Sequence, residues 1–222
     1  MARSYLTLGV LSTLGFLVVS ALVFSNVTQA ADGQLALAVN HASLGAAFTT
    51  LMVVAAEYGR EYFWIPVVAI MLILGNRRTK LLAFELAALF IIGIAAGEIL
   101  KITAIRPRPF ESINTIITRV PTDLDSSYPS GHALIVTIGA AFSMLTFRKK
   151  VVGLLFVVEA AIVCYSRVYV GMHYPLDVVG GVFLGIGIVG VGLFIMERYL
   201  GRLLAKITSA VTKKLSDGPL DL

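Results

Sequence analysis

Ser166-Arg167-Val168-Tyr169-Val170-Gly171-Met172-His173-Tyr174-Pro175-Leu176-Asp177 places a fixed cation, an imidazole and a carboxylate within twelve residues, between apolar runs at about 151–165 and 178–196. Apolar runs approaching 20 residues are candidates for helices that cross a membrane. If the chain is helical from Tyr174 on, His173 and Asp177 lie one turn apart on one face, close enough for the carboxylate to accept the imidazole N–H. That bond would fix the tautomer and leave the other ring nitrogen free to attack or to take a proton. A His and an Asp four apart are also common helix neighbours, and a polar loop between spans is the competing, less favoured reading when this stretch is taken alone.

Two further stretches shift the balance. Lys101 and Arg108-Pro109 lie just past the end of one apolar run, and Pro129-Ser130-Gly131-His132 just before the start of another. Composition sets the environment for all three. The 222 residues are 58% hydrophobic and 14% charged, where a soluble domain carries nearer a quarter charged residues. This is the composition of an integral membrane protein, and 1–222 is read as a single membrane domain with its polar motifs within 101–177. The net charge of +5 comes from short basic clusters at the ends of apolar runs, a topology signal and not a nucleic-acid stripe. No zinc-finger spacing, RNA-binding aromatic signature or P-loop is present, and the single Cys164 lies in an apolar run as a small hydrophobe.

Read in order, the chain is all-α, a bundle of six transmembrane helices with an interfacial helix and an extracytoplasmic polar loop. The first span covers about 5–25 and is read as a retained span in preference to a cleaved leader, because its apolar core is long for one. Residues 32–56, with Asn40, His41 and Ser43, are read as an interfacial or partly inserted amphipathic segment. After the polar break 57–62 a second span continues over 63–74, interrupted by Pro66, with Tyr58, Tyr62 and Trp64 where an aromatic belt would lie. The third covers 81–103 and carries Glu85, beside the basic loop Arg77–Lys80, and Glu98, near enough to Lys101 to support a site. The longest polar stretch, 105–128, precedes spans at 133–147, 151–165 (with Glu159) and 178–196, and the tail 197–222 is polar and basic.

Counting Lys and Arg by side puts Arg3, the 77–80 loop, the 148–150 loop and the tail in the cytoplasm, with both termini there. The other side holds Lys101, Arg106, Arg108, Arg119 and Arg167, an exception explained if cations gather there to bind an anion. Arg106 lies outside these motifs, and a loop or headgroup contact explains it as well as a role in the site does. Lys101, Arg108 and Arg167, with the Ser130 hydroxyl and the Gly131 N–H, suit a phosphate, which needs several donors and charge compensation. His132 and His173 then divide the remaining work, one attacking phosphorus and the other protonating the leaving oxygen.

Lys101 with six residues before Arg108-Pro109, then Pro129-Ser130-Gly131-His132, then Ser166-Arg167 with five residues before His173 and three more before Asp177, resembles the three-part signature of the phosphatidic acid phosphatase type 2 family. The resemblance implies His173 as a nucleophile that becomes a phosphohistidine, with Asp177 orienting it. It implies His132 as the acid for the leaving group and then the base for water. Lys101, Arg108, Ser130, Gly131 and Arg167 would hold the phosphate, with no metal and no cofactor. The implied substrate is a membrane lipid phosphate bound at the extracytoplasmic face. A polyprenyl diphosphate is favoured, with phosphatidylglycerol phosphate or phosphatidate as the alternative. A lipid phosphotransferase shares the first half-reaction. A transporter lined by Glu85, Glu98 and Glu159 is the reading from another class, disfavoured by the short chain and by charges gathered at one end.

Overall fold

In lipid each backbone N–H and C=O must find its partner within its own segment, so long apolar runs become helices. The computed structural model describes residues 2–200, and the regular elements among them are helices. They are α1 (Ala2–Phe24), α2 (Gln29–Asn40), α3 (Ala46–Tyr58), α4 (Glu61–Leu74), α5 (Arg77–Thr103), the short α6 (Pro109–Ser112), α7 (Gly131–Thr146), α8 (Lys150–Tyr169) and α9 (Pro175–Ile195). A π-helical turn, Met196–Leu200, follows α9. Of the basic tail, residues 201–222 lie outside the described residues.

Helix starts follow local chemistry. Asn76 accepts the Thr79 N–H at 3.0 Å and starts α5, and Ser130 accepts the Ala133 N–H at 3.4 Å and starts α7. Proline opens both α6 and α9, where a missing N–H costs nothing.

Among the described residues four helices are long and apolar enough to cross a membrane: α1, α5, α8 and α9 with its extension to Tyr199. Helices α3, α4 and α7 are apolar but shorter. Two expected boundaries change. The segment expected to be one interfacial piece over 32–56 divides into α2 and most of α3. The polar break expected over 57–62 falls at Gly59–Arg60, where Arg60 adopts φ −101° and ψ −96°, and the interruption expected at Pro66 is not made, because α4 continues through the proline. A proline in a membrane helix costs one hydrogen bond that neighbouring groups can absorb; a residue with non-helical dihedrals ends the ladder outright.

Helix α7 is the centre of the bundle, packed between α5, α8 and α9. Its Leu134, Val136, Ile138 and Phe142 are buried together with Trp64, Leu86, Leu89, Val163 and Val189. The outward faces of the long helices carry exposed Leu17, Phe84, Ile91 and Val151, a surface suited to lipid chains. Of the acidic residues read within spans, Glu98 faces outward and Glu85 is half-buried, and neither forms an ion pair among the described residues, so the support expected of Glu98 for Lys101 and the pairing of Glu85 with the basic loop are not made. Both Glu159 carboxylate oxygens are buried with no hydrogen-bond partner among the described residues, among apolar side chains of α3, α4 and α8.

Helices α1 and α9 touch backbone to backbone through glycines. A Cβ on Gly190 would lie 2.5 Å from the Gly9 nitrogen, and one on Gly9 2.8 Å from the Val191 nitrogen. Small residues allow such close approach in membranes, where dispersion does much of the work of association. Gly190→Ala is therefore expected to push α1 off α9 and cost about 1–3 kcal/mol. Thermal unfolding in detergent should show a lower Tm for it and little change for Gly33→Ala, whose Cβ would meet its nearest atom at 3.5 Å.

Candidate active site

The first turn of α9 carries Asp177, which has no solvent exposure. A buried carboxylate needs donors, and it has three kinds. The Ser127 hydroxyl donates to Oδ2 at 2.5 Å, the Tyr174 N–H donates to the same oxygen at 2.8 Å, and Arg106 forms an ion pair with Oδ1. The other arm of Arg106 pairs with Asp32 of α2 at 2.7 Å, and Asp32 in turn accepts the Leu176 N–H at 3.0 Å. Arg106 also stacks over the Tyr174 ring, 4.2 Å from its centroid.

This network changes the expected role of Asp177. His173 lies in the loop before α9, and its Nδ1 stands 3.6 Å from Asp177 Oδ2 but 2.8 Å from the backbone carbonyl oxygen of Ser127. A carbonyl only accepts, so Nδ1 carries the hydrogen and Nε2 holds the lone pair. The expected carboxylate–imidazole bond is thus replaced by a carbonyl–imidazole bond, because Asp177 is already saturated by Arg106, Ser127 and the helix start. Gly171 shapes the loop that delivers His173: its φ of +84° and the Ile117 oxygen 2.9 Å from any added Cβ leave room for glycine alone.

The cations expected from the sequence do converge. Arg108, nearly fully buried, donates from Nη1 to the Met172 carbonyl at 3.0 Å, and the same nitrogen is 3.4 Å from His173 Nε2. Arg167 at the end of α8 donates to the Ala56 carbonyl at 3.0 Å, and its buried Nε has no partner. Lys101, in the last turn of α5, pairs with Asp125, as Arg108 also does. Asp123 approaches Arg108 at 3.5 Å and Arg167 at 3.8 Å. Gly131 begins α7, and a Cβ there would lie 3.3 Å from Arg60 Nη1 and 3.9 Å from Lys101 Nζ. His132 follows it, half-buried and within the fields of Arg167, Arg60 and Lys101.

Electrostatics suit these groups to an anion. Burial, reinforced by the charges of Arg167, Arg108 and Lys101, holds His173 well below the usual imidazole range, so the ring is neutral. Burial alone would raise the Asp125 carboxyl, but the hydrogen bonds and charges of Lys101 and Arg108 bring it down to about 2. The Asp125 carboxylate therefore sits, ionised, between Lys101 and Arg108, and Asp123 approaches Arg108 and Arg167 beside it. Lys101, Arg108, Gly131, His132, Arg167 and His173 come together here, with Ser130 and Asp177 buried at the starts of α7 and α9; Arg106, Asp32, Ser127, Arg60, Asp123 and Asp125 join them. Of these, Arg106, which its sequence position leaves between a loop contact and a site role, is held in the network with its side chain 10% exposed.

The chain matches the PAP2 superfamily over residues 82–200. It is 47% identical over 135 residues to an undecaprenyl-diphosphatase of Sulfolobus acidocaldarius, an alignment covering 61% of this chain and 64% of that relative. To undecaprenyl-diphosphatase BcrC of Bacillus subtilis it is 29% identical over 178 residues, 78% of this chain and 88% of the relative. Among solved structures it is similar to a transmembrane PAP2-type phosphatidylglycerolphosphate phosphatase from Bacillus subtilis, with a TM-score of 0.71 and 24% identity over 86% of this chain and 96% of that one. It is also similar to Aquifex aeolicus LpxE, with a TM-score of 0.64 and 22% identity over 72% and 93% of the two chains. At these identities the structural likeness is one of fold.

Arg106 and Lys101 separate support from chemistry. Arg106→Gln leaves Asp177 and Asp32 buried without their cation and is expected to cost about 3–5 kcal/mol. Lys101→Gln loses a pair in which Lys101 is 10% exposed, but Asp125, 42% exposed, keeps Arg108 as a partner, so the change should cost less stability than Arg106→Gln while lowering activity. Thermal unfolding beside a turnover assay distinguishes the two.

Proposed function

The chain belongs to the PAP2 superfamily, and from that footing we propose that it is a membrane lipid phosphatase acting on a polyprenyl diphosphate through a phosphohistidine. The observation that carries the mechanism is the neutral His173, its Nδ1–H held by the Ser127 carbonyl and its Nε2 lone pair beside the Arg108 guanidinium. Relatives named undecaprenyl-diphosphatases, one of them 47% identical, support the choice of substrate.

In this reading the terminal phosphoryl group takes the place of Asp125 and Asp123 among Lys101, Arg108 and Arg167, with the Ser130 hydroxyl and the Gly131 N–H completing the cradle. Nε2 attacks the terminal phosphorus, the N–P bond forms, and the bridging P–O bond breaks. Its electron pair goes to the lipid phosphate, which takes a proton from His132. The substrate's negative charge offsets the cations around His132, so that it can hold that proton. In the second half His132 accepts a proton from water, the water oxygen attacks the phosphohistidine, inorganic phosphate leaves, and His173 recovers its lone pair. The cations and N–H donors stabilise the charge that grows on the equatorial oxygens. Asp177 acts one step away, by fixing Ser127 and the start of α9, and so the carbonyl that orients His173.

For topology we infer six crossings. The α3–α4 pair, broken at 59–60, would make one span, and the 16-residue α7 another. The two short basic loops line one cleft, Arg77 and Arg78 with Arg148 and Lys149, as expected of a shared cytoplasmic end. The termini would then be cytoplasmic, α2 interfacial, and the phosphate pocket extracytoplasmic.

Phosphate release by the detergent-purified protein, with chelator present, from polyprenyl diphosphate, phosphatidylglycerol phosphate and phosphatidate tests the reading. The diphosphate should be turned over fastest. His173→Ala should abolish release, and His132→Ala should reduce it by about 10²–10⁴-fold, the usual scale of general acid–base catalysis. Near-normal release by His173→Ala, or strong inhibition by the chelator, would contradict the mechanism.

A further inference from the structure

Arg60 lies outside the three motifs, yet it reaches the site they form. It sits at the break between α3 and α4, and its Nη1 would lie 3.3 Å from a Cβ on Gly131, the residue whose N–H faces the phosphate cradle in the reading above. Among the described residues its buried Nε has no hydrogen-bond partner, and Arg60 pairs with the adjacent, half-exposed Glu61. A guanidinium with an idle buried donor beside a phosphate pocket has capacity for another anion.

Arg60 also heads an apolar groove of about 230 Å³ between α4 and α5, lined by Trp64, Ile65, Phe90, Ile91, Ile94 and, from α7, Ile135. Ile135 is one turn along α7 from Gly131 and His132, so the groove and the pocket share a wall. Ile65, Ile91 and Ile94 are well exposed on the outer face of the bundle, which leaves the groove open to the surrounding acyl chains. The second apolar groove near the break, on the α3 and α8 side, contains the unpartnered Glu159 carboxylate and no cation. It is the poorer place for a tail that ends in phosphate.

We propose that Arg60 binds the phosphoryl group next to the lipid tail of a diphosphate substrate, with that tail lying in the α4–α5 groove. The assignment rests on the diphosphatase reading and refines it. Lys101, Arg108 and Arg167 hold the terminal phosphoryl that His173 attacks. Arg60 holds the lipid phosphate that departs, and offsets the charge it gains when the bridging P–O bond breaks and His132 delivers its proton. A monophosphate places its single phosphoryl in the terminal position and leaves Arg60 without a ligand. Arg60 thereby sets the preference for diphosphates over monophosphates.

Binding of two non-hydrolysable analogues with the same prenyl chain tests this without turnover: a methylenebisphosphonate and a monophosphonate, each titrated against wild type, Arg60→Gln and Arg60→Lys in detergent. Loss of one hydrogen-bonded cation should weaken the bisphosphonate roughly 10- to 100-fold in Arg60→Gln, and the monophosphonate less than about threefold. Arg60→Lys keeps a point charge without the fork and should recover part of the loss; it supplies the same ratio if the glutamine variant does not fold. Equal weakening of both analogues, or none, would overturn the assignment while leaving the diphosphatase reading intact. Failure of the wild type to bind or hydrolyse any prenyl diphosphate would remove both.

Discussion

A carboxylate with no access to water must be answered by charge and hydrogen bonds, and the site is arranged around that requirement at Asp177. Its partners come from separate parts of the chain: Arg106 and Ser127 from the long loop after α5, and the Tyr174 N–H from the start of its own helix. The second arm of Arg106 extends the network to Asp32, which also receives the Leu176 N–H. One set of contacts thus fastens α2, the loop and α9 together. The position of the Ser127 carbonyl, and with it the tautomer of His173, follows from that fastening.

The same loop answers the opposite problem. Lys101, Arg108 and Arg167 stand close together, and Asp125 and Asp123 come down onto them from the loop. Like charges at short range in a poorly screened site are costly unless an anion is shared among them. Asp125 and Asp123 supply that anion in the structure. For the phosphatase proposed above, Lys101, Arg108 and Arg167 offer donors beyond those the two aspartates use, among them the Nε of Arg167, which has no partner among the described residues. The scaffold beneath is rigid: α7 is enclosed on three sides, and α1 closes on α9 through Gly9 and Gly190. The reacting groups are therefore carried on helix ends whose positions packing has already settled.

Much of this is legible in the sequence, because membrane spans and short motifs are local signals. Apolar runs locate the helices, and the spacing from Lys101 to Asp177 locates the residues that gather. What is not legible depends on contacts between distant segments. Arg106 meets Asp177 across 71 positions and Asp32 across 74, and nothing local distinguishes it from a loop cation. Arg60 reads as part of a polar break because its neighbours Gly131 and Lys101 come from other helices. The four-residue spacing of His173 and Asp177 suggests a direct bond, yet a carbonyl 46 positions away takes the imidazole hydrogen. Pro66 suggests an interruption, yet α4 runs through it, and the chain breaks at Gly59–Arg60, in the polar stretch beside the pocket.

The central claim is that the phosphoryl group passes through His173. Rapid acid-free quenching of the protein with a prenyl diphosphate radiolabelled in its terminal phosphorus, followed by peptide mapping, tests it most directly. The mechanism predicts an acid-labile, base-stable label on the peptide containing His173, which chases into inorganic phosphate as the reaction proceeds. Turnover with no covalent label, or a label on another residue, would contradict it.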